Sequence, residues 1–181
     1  MEVLRLSKPY QKANIPGPEV GVSVFDPNTL AAIIKKSSRI LVVIGAESLK
    51  DMIGKRTYTE FLLELGRKTN ATVITTTTAY KFLSEKGKVD DLSVMSLINI
   101  TNRLRDPDWV NLTGKGEKYD LVIFGGFLIY YVSQSLSTLK NYTEYRTISL
   151  DRFHHPNARF SLPNLEKSEW EHYLEVILSK L

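Results

Sequence analysis

Short apolar runs without polar alternation constrain the fold of this chain more than any other feature. They are Ile40–Ile44 within RILVVIG, Val73 and Ile74 within ATVITT at 71–76, and Leu121 to Phe124 within YDLVIFGG at 119–126. A strand with this pattern is covered on both faces, which is the usual state of a central strand in a parallel sheet. Since helical patterns separate the runs, the sequence predicts alternating β and α elements.

The first helical patterns carry clear start signals. In FDPNTLAAIIKK, Asp26 is a good N-cap and Pro27 fits the first helical position. RTYTEFLLELGRKT predicts a second helix, which precedes the strand ATVITT. Later in the chain, YRTISL and ARFSL predict two further strands.

Three more helices are predicted in the second half. The first spans residues 92–104, with Ile98 among its buried side chains. Another covers residues 126–140 and has Leu128 on its apolar side. A last helix opens with a capping box from Ser168 to Glu171.

Length and composition indicate one domain. The chain has 181 residues, of which 43% are hydrophobic, enough for one well-buried core but short for two. Residues 1–25 include NIPGPEVG and are predicted to form an N-terminal arm that contacts a partner. Residues 26–181 are predicted to form the single domain, a Rossmann-like parallel sheet flanked by helices.

Charge and cysteine content exclude several classes of protein. The net charge of +4 arises from scattered basic and acidic residues, so we expect no nucleic-acid partner. The absence of cysteine excludes disulfides, thiolate zinc sites and cysteine-ligated iron–sulfur clusters. The N-terminus lacks a signal-peptide core and no segment resembles a membrane span, so we expect a cytoplasmic protein without membrane contact.

The candidate site lies where three predicted strands end. Gly45, Ala46 and Glu47 follow the first strand, Thr75 to Thr78 the second, and Gly125 and Gly126 the third. Open α/β sheets bind ligands outside the carboxyl ends of their strands. Glycine allows a ligand to approach the main chain, and a helix N-terminus next to threonine hydroxyls suits a phosphate or ribose.

Each of these features also has a structural interpretation. The glycines are equally suited to close packing between strand and helix. The threonines are also what a strand end followed by an N-cap would contain. His155 is also a typical satisfied or solvated loop histidine, and the chain lacks G-x-G-x-x-G and the common nucleophile and phosphate-binding motifs. The sequence therefore predicts no catalytic residues of its own.

Four segments carry a family resemblance. TLAAIIKKSSRILVVIGAES, FLLELGRKTNATVITTTTAYKFLSEKG, YDLVIFGGF and ISLDRFHHPNARFSLPNL resemble the deoxyhypusine-synthase-like (DHS-like) NAD/FAD-binding fold. The central domain of thiamine-diphosphate enzymes has this fold. From about residue 13 to the C-terminus, the chain resembles the epsilon subunits of archaeal carbon monoxide dehydrogenase/acetyl-CoA synthase complexes.

The resemblance implies a parallel sheet of about six strands and an accessory role beside a large nickel–iron–sulfur alpha subunit. It implies an assembly with two copies of each subunit, in which this chain stabilises the catalytic subunit or assists electron transfer to FAD. FAD or another dinucleotide would contact Gly45 to Glu47, Thr75 to Thr78 and Gly125, Gly126, Phe127 and Leu128, with His155 near the rim. Any metal would belong to the partner.

Two function classes follow from the sequence. The first is a non-catalytic subunit of such a complex in one-carbon metabolism, which the length of the resemblance and the lack of catalytic motifs favour. The second is a free-standing NAD- or FAD-dependent enzyme of the same fold, which the generic crevice favours.

Overall fold

The computed structural model describes residues 20–88 and 92–181 and contains a parallel sheet with helices on both faces. The strands are β1 (Val22–Ser23), β2 (Ile40–Ile44), β3 (Met52–Ile53), β4 (Arg56–Thr57), β5 (Thr72–Thr75), β6 (Leu92–Val94), β7 (Leu121–Gly125), β8 (Arg146–Ser149) and β9 (Phe160–Ser161). The helices are α1 (Pro27–Lys35), α2 (Tyr58–Lys68), α3 (Thr77–Glu85), α4 (Leu97–Arg105), α5 (Ile129–Tyr142) and α6 (Lys167–Lys180). A 3-10 turn, Ala46–Leu49, follows β2.

The predicted Rossmann-like fold is confirmed. Seven parallel strands run in the order β1-β9-β8-β7-β2-β5-β6, and β3 and β4 form a separate antiparallel pair. From the central β2 the chain moves outward to β5 and β6, then returns to place β7 on the other side of β2. The crevice at this reversal, beyond the carboxyl ends of β2 and β7, is where such sheets bind ligands.

The core has two layers, one on each face of the sheet. On one face, α1, α2, α3 and α6 pack over Ile40, Val42 and Ile44. On the other, α4 and α5 pack side by side over Leu41 and Val43. Because all five side chains of β2 are buried, the unbroken apolar run of this strand is explained by cover on both faces.

The helix predicted over residues 92–104 is wrong at its start. Residues Leu92–Val94 form the strand β6, which pairs with β5, and α4 begins only at Leu97. Ile98, expected to be buried, is 54% exposed on the outer side of the first turn. The apolar spacing of this segment fits a helix, so only the pairing with β5 distinguishes its first residues as a strand.

Two other boundaries differ from the sequence predictions. β1 falls within the predicted arm, where it pairs with β9 and extends the sheet by one strand. Residues 1–19 of that arm lie outside the described part of the chain. The capping box of α6 is formed by Glu166 and Glu169, which precede the predicted pair in the sequence.

The predicted start of α1 is confirmed, because the Asp26 carboxylate accepts a hydrogen bond from Asn28 N at 3.0 Å. The start of α2 has a capping box between Thr57 and Glu60. Glu60 also pairs with Lys88 at 2.8 Å, which ties α2 to the end of α3. Among the described helices, none is both long and apolar enough to cross a bilayer.

Candidate functional site

The carboxyl edge of the sheet brings the three predicted site segments together. Gly45 N donates to Gly125 O at 2.9 Å, and Thr76 N donates to Ile44 O at 3.0 Å. The register explains this, since Ile44 pairs with both Thr75 and Gly125 across the central strands. The residues that follow β2, β5 and β7 therefore form one continuous edge.

The three glycines of this edge serve close packing. A Cβ on Gly45 would lie 2.1 Å from Gly126 O, and one on Gly125 would lie 2.6 Å from the Tyr58 hydroxyl. Gly126 has a φ of +77° and would meet Ser48 Cβ at 2.3 Å. Protein atoms thus already occupy the space that the glycines open, as in the structural interpretation of these residues.

The 3-10 turn after β2 fills the crevice. Glu47 N donates to Gly126 O at 2.9 Å, while the Glu47 side chain pairs with Lys50 at 2.6 Å. Ser48 is fully buried, and its hydroxyl lies 2.6 Å from both Gly45 O and the Thr59 hydroxyl. Ala46 begins the turn and is half-buried. The turn therefore locks the end of β2 onto the loop after β7.

The threonine run divides into buried and exposed halves. Thr75 is fully buried, and within the described chain its hydroxyl and that of Thr76 have no hydrogen-bond partner. Thr76 occupies the N-cap position of α3 without a side-chain capping bond. Thr77 and Thr78 are exposed in the first turn. The free N-terminus of α3 therefore opens onto the edge beside two accessible hydroxyls.

Phe127 and Leu128, two apolar residues in the loop after β7, differ in exposure. Phe127 is buried against Phe124, with ring centroids 6.4 Å apart. Leu128 is 42% exposed, so the sequence prediction that it packs on the apolar side of α5 is wrong. It holds the N-cap position of α5, where its backbone is extended and not yet helical.

A buried carboxyl that the sequence reasoning did not include lies behind this loop. Asp151 Oδ1 accepts from Gly126 N at 2.7 Å. Its Oδ2 and the Tyr58 hydroxyl are buried without a hydrogen-bond partner among residues 20–88 and 92–181, yet each group shifts the pKa of the other. Burial raises the pKa of Asp151 to about 7 and raises that of Tyr58 well above its ordinary range. Only the fold brings these residues together.

His155 does not lie at the rim of the edge. It is 1% exposed, its backbone N donates to Ser161 Oγ at 2.8 Å, and neither ring nitrogen has a partner in the described structure. Burial lowers the pKa of His155 to about 4, and the neighbouring His154 adds to this effect. The ring is therefore neutral and enclosed, and it differs from both a solvated and a satisfied loop histidine.

Asp151 and His155 predict opposing effects of pH on stability. The Asp151 pKa rises from 3.8 unfolded to about 7 folded, so this residue destabilises the fold as pH increases from about 4 to 7. The His155 pKa falls from 6.5 to about 4, so this residue stabilises the fold over nearly the same increase. At about 1.4 kcal/mol per pKa unit, the effect amounts to roughly 4 kcal/mol for Asp151 and roughly 3 kcal/mol for His155.

We therefore expect the free energy of unfolding of the wild type to change little between pH 4 and 7. Denaturant titrations of Asp151→Asn should show stability rising with pH, and those of His155→Leu should show stability falling. Identical slopes for wild type and both variants would contradict these assignments. Asn keeps an acceptor for Gly126 N, so the first variant tests charge rather than the loss of a hydrogen bond.

Comparison with known proteins finds similarity along nearly the whole chain, as the resemblance implied. The family model for "CO dehydrogenase beta subunit/acetyl-CoA synthase epsilon subunit" matches residues 5–179. A subunit epsilon of the acetyl-CoA decarbonylase/synthase complex from Methanothrix soehngenii is 35% identical over 87% of this chain and 81% of its own. That of Methanothermobacter thermautotrophicus is 34% identical over 92% of both chains.

A third relative, subunit epsilon 1 of the same complex from Archaeoglobus fulgidus, is 36% identical over 86% of this chain and 82% of its own. The aligned parts of all three relatives cover most of each chain, so the similarity is not confined to one motif. The chain belongs to the CO dehydrogenase beta subunit/acetyl-CoA synthase epsilon subunit family.

Proposed function

We propose that this chain is a non-catalytic accessory subunit of the CO dehydrogenase component of an acetyl-CoA decarbonylase/synthase complex. The observation that carries the proposal is the similarity to epsilon subunits along nearly the whole chain. In this role the chain binds and stabilises the large nickel- and iron-containing subunit, in an assembly with two copies of each.

The geometry of the carboxyl edge supports a binding role over an enzymatic one. The 3-10 turn packs against Gly126 in the crevice of this sheet, and the Tyr58 hydroxyl and Asp151 Oδ2, whose groups have strongly shifted pKa values, are buried. Gly126 N, in the loop after β7, donates to Asp151 Oδ1, so the chain itself already engages this carboxyl. The chain is thus better suited to present this edge than to bind a substrate within it.

The direct test is a pull-down with the tagged chain from an anaerobic extract of the source organism, followed by mass spectrometry and metal analysis. We expect recovery of the large subunit in near-equal amount, with nickel and iron. Recovery of no such subunit, together with turnover of a nicotinamide or flavin substrate by the isolated chain, would establish the free-standing enzyme instead.

The same proposal includes binding of a flavin, at the start of α3 and not at the glycines of the carboxyl edge. The glycines do not fit a dinucleotide diphosphate, because the chain itself fills the space over them. Thr77 and Thr78 fit a phosphate better, since their hydroxyls are exposed at a helix N-terminus without a side-chain cap. FAD bound here would supply an electron acceptor for CO oxidation, while this chain would hold a phosphate through the two hydroxyls.

Replacing both threonines tests this assignment. We expect Thr77→Val/Thr78→Val to weaken flavin binding tenfold or more, measured by quenching of flavin fluorescence with the free chain and with the complex. The fold should survive, because both side chains are exposed. Unchanged flavin affinity in a folded variant would exclude Thr77 and Thr78 as the phosphate contacts.

A further inference from the structure

Exposed apolar side chains are concentrated at the carboxyl edge of the sheet. Ten large apolar residues are exposed among the described residues, and six of them follow the carboxyl end of a strand of the seven-stranded sheet: Phe25, Ile98, Leu128, Ile129, Tyr130 and Phe153. Single exposed apolar residues are normal on protein surfaces, but a group on one edge marks an interaction surface.

The densest part of this edge is formed by the first turns of two neighbouring helices. We name it the α4/α5 patch and define it by Ile98, Leu128, Ile129 and Tyr130. Both helices begin at the carboxyl edge and pack side by side through Ile100, Leu104, Val132, Leu136 and Leu139. Their exposed first-turn side chains therefore lie at the same edge of the sheet.

Electrostatics distinguish this patch from an ordinary helix end. In the described chain, α3, α4 and α5 have no acidic residue in the first turn, and neither α3 nor α5 has a side-chain cap. The N-terminal end of a helix carries a partial positive charge that an acidic or capping side chain usually compensates. Within the α4/α5 patch, Ser96 caps α4, whereas the positive end of α5 has no capping side chain and lies beside an apolar surface.

Leu128, at the N-cap position of α5, is the clearest example of a helix start without a polar cap. An N-cap is normally Ser, Thr, Asp or Asn, and its backbone conformation, with φ of −61° and ψ of 131°, suits those residues. A leucine at this position weakens the free helix and leaves an apolar side chain in solvent. Both disadvantages disappear when another protein covers the residue and supplies acceptors to the helix end.

We propose that the α4/α5 patch is the surface on which the large subunit of the complex docks, through an apolar segment that carries carboxylates. This inference rests on the proposed function and names the surface that serves it. A second copy of this chain is a poor occupant, because a two-fold interface places the same patch on both sides. The uncapped N-terminal ends of α5 from the two copies would then face one another.

Leu128→Asp is the most informative variant, because docking and folding predict opposite effects. The aspartate would cap α5 and raise the midpoint of thermal unfolding of the free chain. In the complex it would compete with the partner's carboxylates and remove an apolar contact. We expect its affinity for the purified large subunit from the source organism, measured by biolayer interferometry under anaerobic conditions, to fall at least tenfold.

A tyrosine pair on one helix provides a matched comparison. Tyr130 is 67% exposed in the patch, and Tyr142 is 73% exposed at the far end of α5. We expect Tyr130→Ala to weaken binding at least tenfold and Tyr142→Ala to change it less than twofold. Wild-type affinity in both Leu128→Asp and Tyr130→Ala would overturn the docking surface and leave the proposed function intact.

Two other results would also overturn the proposal, and they are distinguishable. Self-association of the free chain that Tyr130→Ala abolishes, measured by sedimentation velocity, would assign the patch to a second copy. Binding of the wild type to anionic lipid vesicles that Tyr130→Ala abolishes would assign it to a membrane surface. Failure of the wild type itself to bind the large subunit would instead contradict the proposed function.

Discussion

Gly126→Ala should destabilise the chain by roughly 3–5 kcal/mol or prevent folding, because two independent penalties act at this residue. Its φ of +77° is unfavourable for a residue with a Cβ. The new methyl would also lie 2.3 Å from Ser48 Cβ and 2.6 Å from Ser48 N, and backbone atoms of the 3-10 turn cannot move aside easily. The free energy of unfolding from urea titrations measures the effect.

Gly114→Ala is the matched control for this prediction. Gly114 has a similar φ of +68°, but a Cβ at this residue would have no atom of the described residues within 4 Å. It should therefore show only the conformational penalty, about 1–2 kcal/mol. Equal losses in the two variants would mean that the contact between Ser48 and Gly126 does not hold the end of β2.

Trp170→Ala should cost roughly 3–5 kcal/mol, the usual loss for a large buried aromatic side chain. Trp170 is buried, and its indole N–H donates to Leu150 O at 2.8 Å. Its ring meets that of Tyr58 edge-on, with centroids 4.8 Å apart. The side chain thus fastens α6 to the end of β8 and to the residue that covers Gly125.

Trp170→Phe separates packing from hydrogen bonding. Phenylalanine keeps much of the aromatic contact but leaves Leu150 O without its donor, which should cost about 1–3 kcal/mol. Both variants are measured by thermal and urea unfolding. A loss below about 1 kcal/mol in Trp170→Ala would show that α6 is not anchored through this residue.

Much of the architecture could be predicted from the sequence because it is encoded locally. Continuous apolar runs identified β2 and β7, the apolar pair within ATVITT identified β5, and Asp26 and Pro27 marked the start of α1. The short strands β1 and β6 have only two and three residues, and their conformation depends on pairing with distant segments. No local pattern distinguishes them from a loop or from the start of a helix.

The candidate site was also predictable only in part, because contacts between distant segments are not encoded locally. The sequence predicted the segments at the edge, because glycines and threonines after strand ends are local signals. It did not show that Ser48 and Tyr58 occupy the space over the glycines, since these contacts depend on how the 3-10 turn and α2 pack. The exposure of Leu128 and Ile98 likewise depends on where α4 and α5 begin, a boundary that apolar spacing alone leaves open.

The pairing of β1 with β9 sets an order on how the chain can assemble during synthesis. Val22 is made 138 residues before its partner Phe160. Strands β2, β5 and β7 can pair once residue 125 is available, and the cost of closing long loops favours these nearer contacts first. We therefore expect residues 22–23 to join the sheet last, after the central strands have already formed.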